Sequence, residues 1–446
     1  MESRPKKELT LFDSTCLIVG IIIGAGIYQM APDVARGASG WQGVLCIWIA
    51  GGLLSLCGAL GYAELATTYP QEGGDYVYLS RAYGRWAGFL FGWLQLAIVR
   101  PGDIAVMAFA FATYARAIGD PFAGTPLPYG QQIFAVAAVL ALTMINVAGV
   151  RAGKWVQNSL TTIKAAGLLA IVGVALFASR ASGSPGAVQP LPASVALIFV
   201  LFTFGGWNEM AFVAAEVKDP NRNILRALAL GTVAVTVLYL LVNGAFLYTL
   251  GYAGVAKSKA VAADAVATVF PALGGRMISA LVSVSALGAV NGLIFAGARI
   301  SYAVGADHRV FRLLGQWHPR TGTPVAALIL QGAIAIALIL IFGSFVSTIL
   351  YTAPAVYSFY LASSLAVMVL RAKEPATPRP YRVTGYPFTT LLFAAVCGFL
   401  IYSSVAYKPR IAAATLAIAL LGLPVYWLSS RRPAAPAAQN SGAAAP

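Results

Sequence analysis

The sequence predicts an all-α integral membrane protein with twelve transmembrane helices. Three observations predict this fold class: 59% of the residues are hydrophobic and only 10% are charged, apolar runs of about 20 residues recur along the chain, and two of these runs are interrupted by paired glycines. A soluble domain carries about 25% charged residues, so this chain has too few to cover a surface that faces water.

The apolar runs divide the chain into twelve segments, each long enough to cross a bilayer. They cover roughly residues 13–35, 41–68, 86–114, 131–149, 156–178, 194–217, 226–250, 275–304, 324–342, 346–371, 387–406 and 411–429. We predict a first five-helix repeat in 13–180, an inverted second repeat in 194–371 and two appended helices in 386–430. Residues 1–12 precede the first segment, and the Ala/Pro-rich tail 431–446 is predicted to be disordered.

The positive charge of the chain follows its predicted topology. The formal net charge is +15, which alone would suggest nucleic acid as a partner. Most of the lysines and arginines, however, lie in loops on the side that bears the N-terminus, and cytoplasmic loops gather these residues. We therefore expect a multi-pass protein of the cell (inner or plasma) membrane, with both termini cytoplasmic, that contacts lipid and not nucleic acid.

Motifs for catalysis or metal binding are missing from the sequence. It contains no HExxH, no P-loop and no spaced metal ligands, and its four cysteines all fall in apolar segments without CxxC spacing. A membrane-embedded enzyme or a channel is therefore a weaker interpretation than a carrier, and we expect neither a cofactor nor a metal.

Two apolar segments contain helix-breaking glycines at matching positions. The first reads IVGIIIGAGIYQM at residues 18–30, and the sixth reads FVLFTFGGWNEM at residues 199–210. Glycine disfavours a helix by about 1 kcal/mol relative to alanine, and each break falls in the first helix of a five-segment block. Paired breaks of this kind indicate an inverted-repeat transporter whose discontinuous helices 1 and 6 bind substrate near the membrane midplane.

Such breaks predict a binding site made of backbone groups. Where a helix unwinds, free N–H groups favour an anion and free carbonyls accept from a cation. The amides are those of Ala25, Gly26 and Ile27; the carbonyls are those of Ile22, Ile23, Phe202, Thr203 and Gly205. Together they would fit the carboxylate and ammonium of an amino acid. The alternative is that both glycine pairs are small-residue patches for helix packing.

Eight stretches of the sequence match one known family in the right order. They are GIIIGAGIY (20–28), GYAELATTYPQEGGDYVYL (61–79), IVRPGDIAVMAFAFATY (98–114), VQNSLTTIK (156–164), FTFGGWNEMAFVAAEVKDPNRN (202–223), VNGLIFAGARISYAVGADHRV (290–310), HPRTGTPV (318–325) and LRAKEPATPRPYRV (370–383). On these motifs the chain resembles the L-type amino acid transporters, the light-subunit family within the amino acid–polyamine–organocation superfamily, as a prokaryotic-type member. The resemblance implies a twelve-helix fold with two five-helix inverted repeats, and sodium-independent amino acid transport, usually by exchange.

The resemblance also implies roles for individual residues. The family's carboxylate-binding turn corresponds to Gly24, Ala25 and Gly26, and its aromatic gate over the bound substrate corresponds to Phe202. Asn291 corresponds to a polar residue that lines the pocket. This chain departs from the family in having GAG where GSG is more usual, which removes one hydroxyl from the turn.

Lys164 is a charged residue in the middle of the fifth segment. An ionisable group inside the membrane is expensive and is functional by default. The resemblance implies that this lysine bridges the first and eighth helices, near the place where sodium-coupled relatives hold an ion, and we therefore predict transport without sodium. The alternative is a lysine that snorkels to a helix end.

Other charges inside segments allow a structural explanation. Arg100 and Asp103 are three residues apart, as in an i,i+3 ion pair within one helix. We expect Arg299 near the cytoplasmic end of the eighth segment, and Glu64 and Glu216 as braces at helix ends. These five residues are therefore weaker candidates for substrate binding.

Glu209 departs from the family pattern, because relatives tend to carry an uncharged residue after GGWN. A carboxylate just beyond the break would recognise a second ammonium on the substrate or accept a proton, or it would pair with a basic residue inside the bundle.

The loop after the third segment, AIGDPFAGTPLPYG, contains no cysteine. Animal members use a cysteine there to bind a heavy subunit, so we expect no disulfide-linked heavy subunit here.

These features predict a sodium-independent amino acid transporter, an exchanger of L-amino acids with neutral substrates favoured. Alternating access would rock helices 1, 2, 6 and 7 against helices 3, 4, 8 and 9. The alternative is a proton-coupled amino acid symporter, or a cationic amino acid or polyamine antiporter of the same superfamily.

Overall fold

The computed structural model describes residues 6–122, 129–180, 190–342, 345–407 and 409–430. Within these ranges the regular structure is helical, apart from two isolated β-bridges, Leu9–Val217 and His318–Thr323. The tail that the sequence predicts to be disordered lies outside the described residues.

The first half of the chain contains two helices interrupted or distorted within a span. Its elements are α1 (Leu11–Ile22), α2 (Gly26–Gln29), α3 (Ala31–Arg36), α4 (Trp41–Thr68), α5 (Asp75–Tyr83), α6 (Arg85–Leu94), a π-helical turn (Gln95–Val99), α7 (Arg100–Ile118), α8 (Gly130–Ala148) and α9 (Val150–Ala175). Because the π-turn runs directly into α7, α6 and α7 together form one long span, Arg85–Ile118.

The second half begins with another interrupted span. Its elements are α10 (Ala193–Thr203), a 3₁₀ helix (Trp207–Glu216), α11 (Pro220–Lys257), α12 (Val261–Ala267), α13 (Gly274–Asp307), a short 3₁₀ turn (Arg309–Phe311), α14 (Val325–Phe342), α15 (Phe345–Lys373), α16 (Phe388–Tyr407) and α17 (Pro409–Ser430).

Eleven segments of the described chain are helical, long and apolar enough to cross a membrane. They account for eleven of the twelve segments read from the sequence, and the remaining one, 324–342, contains a shorter apolar helix, Val325–Ile341. Large apolar side chains such as Trp155, Leu176 and Phe177 are 71%, 80% and 83% exposed on the outside of the bundle. Such a surface is suited to lipid rather than to water.

The glycines end the first helix where the sequence predicts. α1 stops at Ile22, the amide of Gly24 bonds to the carbonyl of Ile22 at 2.8 Å, and α2 begins at Gly26. This tight turn replaces the regular i to i−4 bond and leaves backbone groups of the turn outside the helical ladder.

The sixth span breaks at a glycine with left-handed backbone geometry. Gly206 has φ 112°, a conformation that side chains disfavour. A Cβ atom at this position would lie 2.6 Å from Cγ2 of Ile21. The second break therefore passes directly against the end of α1, and only glycine permits both the backbone angle and this close approach.

Around the breaks, long helices form the rest of the bundle. α1 packs against α9, α11, α13 and the 3₁₀ helix Trp207–Glu216, and α13 also packs against α7. The buried core runs continuously through these elements. Both interruptions consequently lie in the interior of the bundle, where irregular backbone is tolerated in a membrane protein because it faces protein or a cavity instead of lipid.

Candidate functional site

A cavity of about 140 Å³ lies between the two helix breaks. Both breaks, α7, α13 and α15 contribute to its walls. A cavity needs only about 10–15 Å³ on this measure to hold one water, so this space is large enough for a small organic molecule.

Seven of the residues singled out in the sequence line this cavity together. They are Ile22, Gly24, Gly26, Phe202, Thr203, Gly205 and Glu209. Segments far apart in the chain therefore meet at one place. The other residues singled out, Ile23, Ala25, Ile27, Lys164 and Asn291, are buried beside the cavity or further away and are not part of its lining.

Close approach of neighbouring elements explains the two glycines of the first break. A Cβ atom at Gly26 would lie 3.1 Å from Cγ2 and Oγ1 of Thr203, and one at Gly24 would lie 3.3 Å from Sδ of Met107. These distances are at the lower limit for carbon contacts, so side chains here would push the two breaks apart and narrow the cavity. Both glycines also line the cavity, so they are in close contact with neighbouring elements and face an open space at the same time.

The carbonyls predicted to hold an ammonium differ in how far they are already used. Tyr239 donates its hydroxyl to the carbonyl of Ile22 at 3.0 Å and lies 3.4 Å from the carbonyl of Thr203. The carbonyl of Ile23 accepts from Lys164 at 2.8 Å. The carbonyl of Phe202 accepts from the amide of Gly205 at 2.9 Å. Ile22, Ile23 and Phe202 therefore contribute to the architecture of the breaks, and the carbonyl of Thr203 has only the longer contact with Tyr239.

Lys164 is fully buried and donates to three backbone carbonyls. Its Nζ lies 2.6 Å from the oxygen of Gly20, 2.8 Å from that of Ile23 and 2.9 Å from that of Ser285. These bonds use all three N–H donors of an ammonium. The lysine thus connects α9 to the end of α1 and to α13, and it does not snorkel to a helix end.

Arg100 forms its ion pair with Glu209 and not with Asp103. Nη1 of Arg100 lies 2.9 Å from Oε1 of Glu209, and both side chains are buried. The interpretation of Arg100 and Asp103 as an i,i+3 pair is therefore wrong. The physical reason is that the guanidinium reaches across from α7 to the 3₁₀ helix, where it also lies over the ring of Phe212 at 5.4 Å. Of the roles open to Glu209, pairing with a base inside the bundle is the one that the structure contains.

Two ion pairs of Arg with Glu join neighbouring helices of the bundle. Arg299 is buried and holds Glu216 with two bonds, Nε to Oε1 at 2.6 Å and Nη2 to Oε2 at 3.1 Å. Glu64 binds Arg371 with two bonds of 2.8 and 2.5 Å. Glu216 and Glu64 thus brace the ends of helices, whereas Arg299 lies deeper than expected at a helix end.

The backbone of the N-terminal segment forms hydrogen bonds with the end of the sixth span. The amides of Glu8 and Leu9 both donate to the carbonyl of Glu216 at 2.9 Å, and the amide of Lys218 donates to the carbonyl of Leu9 at 2.8 Å. The segment before α1 is therefore paired with the end of the sixth span.

Comparison with known proteins decides the family. The profile of a family described as amino acid permease matches residues 9–428, nearly the whole chain. The chain belongs to the amino acid permease family.

Several curated relatives of this permease align along most of its length. It is 32% identical over 444 residues to the large neutral amino acids transporter small subunit 2 of Homo sapiens, an alignment that covers 95% of this chain and 80% of the relative. It is 29% identical over 439 residues to the serine/threonine exchanger SteT of Bacillus subtilis, an alignment that covers 96% of this chain and 98% of the relative. It is 31% identical over 417 residues to the b(0,+)-type amino acid transporter 1 of Mus musculus, with 91% and 84% covered.

The family confirms the resemblance read from the motifs. The permease is a multi-pass membrane protein of an amino acid transporter family, and it is not an enzyme. Among the described residues, no group of three or more His, Cys, Asp or Glu side chains is arranged to hold a metal ion.

Asn291 has a different place from the one that the resemblance implies. Its amide donates to the carbonyl of Gly153 at 3.1 Å and to Oε1 of Gln157 at 2.9 Å, and its oxygen accepts from Asn146 at 2.8 Å. The side chain is fully buried among α8, α9 and α13 and is not part of the cavity lining. In this structure of the permease its hydrogen-bonding groups are engaged by neighbouring helices.

Sequence reasoning missed one residue at the breaks and favoured the wrong role for another. Tyr239 joins the two breaks through its hydroxyl, and nothing in the sequence distinguished it from Tyr248 in the same segment. Asp103 lines the cavity of the permease although the sequence assigned it to a pair with Arg100. An acidic residue in the middle of a membrane span is a candidate functional residue by default, and this position was the feature of the sequence that pointed to Asp103.

Proposed function

We propose that this permease is a sodium-independent exchanger of L-amino acids, with neutral substrates favoured. The observation that carries the proposal is the cavity between the two breaks, because it is lined by glycines and by backbone of both interrupted spans. Relatives along most of the chain include a large neutral amino acids transporter subunit and a serine/threonine exchanger, which supports both the substrate class and the exchange mode.

In the proposed complex the α-carbon end of the substrate occupies the breaks. The carboxylate lies at the turn Gly24–Gly26 and receives the amide of Ala25, with the amide of Ile27 nearby. The ammonium donates to the carbonyls of Thr203 and Gly205, and Phe202 closes over the substrate as a gate. A glycine turn suits this role because a side chain would keep the ligand away from the backbone.

The contacts of Lys164 support independence from sodium. Its ammonium occupies the centre of three carbonyl oxygens contributed by α1 and α13. A sodium ion would need oxygen ligands of the same kind, and the two cations would repel each other in one cage. The amino group of Lys164 thereby fills the space between carbonyl oxygens where a coupled ion would otherwise bind.

The finer architecture is part of the same proposal. Twelve helices would form two inverted repeats, 13–180 and 194–371, followed by the appended helices in 386–430. Helices 1, 2, 6 and 7 would move against helices 3, 4, 8 and 9, and both termini would be cytoplasmic in the cell membrane. The absence of cysteine from residues 117–130 supports a transporter that works without a disulfide-linked heavy subunit.

Proteoliposomes test the proposal. Uptake of labelled neutral and basic amino acids would be followed in sodium-free buffer, into vesicles that are empty or preloaded with the unlabelled amino acid. We expect uptake to depend strongly on preloading and to stay unchanged when sodium replaces choline. Uptake that requires sodium, or no uptake of any amino acid by correctly inserted protein, would contradict the proposal.

The second candidate is a proton-coupled symporter, or an antiporter for cationic amino acids or polyamines. The observation that favours it is the presence of two carboxylates, Asp103 and Glu209, in the cavity lining. In the same vesicles, uptake into empty liposomes driven by an imposed pH gradient would favour the symporter, and exchange restricted to cationic substrates would favour the antiporter.

A further inference from the structure

The wall of the cavity contains two acidic side chains as well as the glycine turns. Of the residues that line it, Asp103 and Glu209 are the charged ones, and the groups next to Asp103 on α7, Val106 and Met107, are apolar. A cavity that receives only an apolar substrate side chain has no use for carboxylates in its wall, because their burial costs free energy.

The two carboxylates are not equally neutralised. Glu209 is paired through Oε1 with Nη1 of Arg100 at 2.9 Å, so these two charges cancel. Asp103 has no hydrogen bond or salt bridge to any residue in the part of the chain that the structure describes. Oε2 of Glu209 is also buried without a partner, in a side chain that is 7% exposed. The wall therefore contains unused acceptor atoms on both carboxyl groups, and the guanidinium of Arg100 is near enough to attract both of them.

The hydroxyl group of Tyr360 is not bonded to either carboxyl group. Tyr360 also lines the cavity, but its hydroxyl donates to Oδ1 of Asn208 at 2.9 Å, and a phenol has a single O–H to give. No donor within the described part of the chain is bonded to Asp103, so its carboxyl group is open to a donor from water while the site is empty and from the substrate when it is occupied.

The position of Asp103 relative to the turn fits the side chain of a bound amino acid. Met107, beside Gly24, lies four residues after Asp103 on α7. Residues four apart on a helix lie on the same face, about 5–6 Å apart at Cβ. Asp103 is consequently one helical turn away from the place proposed for the substrate carboxylate, a distance that a side chain of two to four atoms covers.

We propose that Asp103 is a specificity-determining residue that selects amino acids whose side chain ends in a hydrogen-bond donor. The inference rests on the proposed function, since it takes the substrate to be an amino acid bound at the breaks. The donor is either a neutral hydroxyl or an ammonium. Either group can donate to a carboxyl oxygen, whereas an apolar side chain of the same shape would exclude water and leave that oxygen unpaired, at a cost in free energy.

The test uses two pairs of competitors that have nearly the same shape. Threonine and valine differ by a hydroxyl in place of a methyl group, and ornithine and norleucine differ by an ammonium in place of a methyl group. Each competes against a labelled amino acid that the wild-type permease exchanges in proteoliposomes. The ratio of half-inhibitory concentrations within a pair measures donor selectivity and is insensitive to the total amount of active protein.

We expect the wild-type protein to prefer the donor in at least one pair by about tenfold or more, which corresponds to 1.4 kcal/mol. Asp103→Leu removes both oxygen acceptors, and the ratio should fall to near one. Asp103→Asn removes the charge but keeps an oxygen acceptor, so it should abolish a preference for ornithine and preserve most of a preference for threonine. Asp264→Asn is the matched control, because Asp264 is exposed on α12 and bonded to Ser258; it should leave both ratios unchanged.

Two results would overturn the inference. One is a wild-type protein that exchanges amino acids but discriminates neither pair; the other is a ratio that persists in Asp103→Leu. Where a variant is too slow to transport, the same pairs are compared by ligand-induced thermal stabilisation of the purified protein, with the same expected ratios. A wild-type protein that exchanges no amino acid would instead refute the proposed function, so the two failures are distinguishable.

Discussion

The buried pair between Arg299 and Glu216 gives the sharpest prediction about stability. Both side chains are at most 1% exposed, and two bonds of 2.6 and 3.1 Å join them. Arg299 also donates to the carbonyl of Phe295 at 2.7 Å and lies 3.9 Å from the centre of that ring. Glu216→Gln would leave this guanidinium buried without a countercharge.

The expected cost follows from the burial. Removing one partner of a buried ion pair costs about 3–5 kcal/mol, because the other charge stays uncompensated. Glutamine keeps one oxygen acceptor, so we expect a loss near the lower end, about 3 kcal/mol. The matched control is Glu374→Gln. Oε1 of Glu374 lies 3.4 Å from Nη1 of Arg81, and the side chain of Arg81 is 41% exposed. An exposed pair contributes only about 0.2–1 kcal/mol.

The assay is chemical unfolding of the purified protein in detergent micelles, with the free energy of unfolding compared among the wild type and both variants. The double variant Glu216→Leu with Arg299→Met removes both charges, and it should be more stable than Glu216→Leu alone, because no charge is left unpaired. A cost for Glu216→Gln no larger than that for Glu374→Gln, or additive effects in the double variant, would refute the reasoning.

Three other changes have equally definite outcomes. Gly206→Ala places a Cβ 2.6 Å from Ile21 at φ 112°, so it should abolish exchange, and wild-type exchange rates in proteoliposomes would contradict this. Lys164→Met leaves buried carbonyl groups without a hydrogen-bond donor and should reduce the exchange rate at least tenfold. Lys154→Met on the same helix is the control, and an equal loss of exchange in both variants would argue against a special role of Lys164. Burial raises the pKa of Glu72 to about 7, so the contribution of Glu72 to the stability of the fold is most favourable at low pH and is lost as the pH rises towards 7 and beyond. Glu72→Gln should therefore stabilise the protein at pH 8 and change its stability little at pH 4. Thermal unfolding at both pH values would show this.

The interruptions of the helices were accessible from the sequence because they depend on local chemistry. Glycine at 24, 26 and 206 lowers helix propensity wherever it occurs, and apolar runs fix the approximate ends of each span. Lys164 was recognisable for a similar reason, since a single ammonium in the middle of an apolar segment must find oxygen partners.

The partners of polar side chains were not accessible in the same way. Arg100 had an acidic residue three positions away, and nothing local indicated that its guanidinium would reach Glu209, 109 positions along the chain. Asn291 shows the same limit, because a buried amide is satisfied equally well by a ligand or by neighbouring helices. Which of the two occurs depends on the relative placement of α8, α9 and α13, and no periodicity in one segment contains that information.

Pairing between the N-terminal segment and the sixth span has a consequence for how this region tolerates change. The bonds of Glu8, Leu9 and Lys218 run from main chain to main chain, so their strength depends on alignment and hardly at all on side-chain identity. Point substitutions near Leu9 should be tolerated more easily than the insertion or deletion of a single residue, which would shift the register of the whole segment against Glu216. The number of residues between this segment and the first turn of α1 should therefore matter more for the pairing than the identity of those residues.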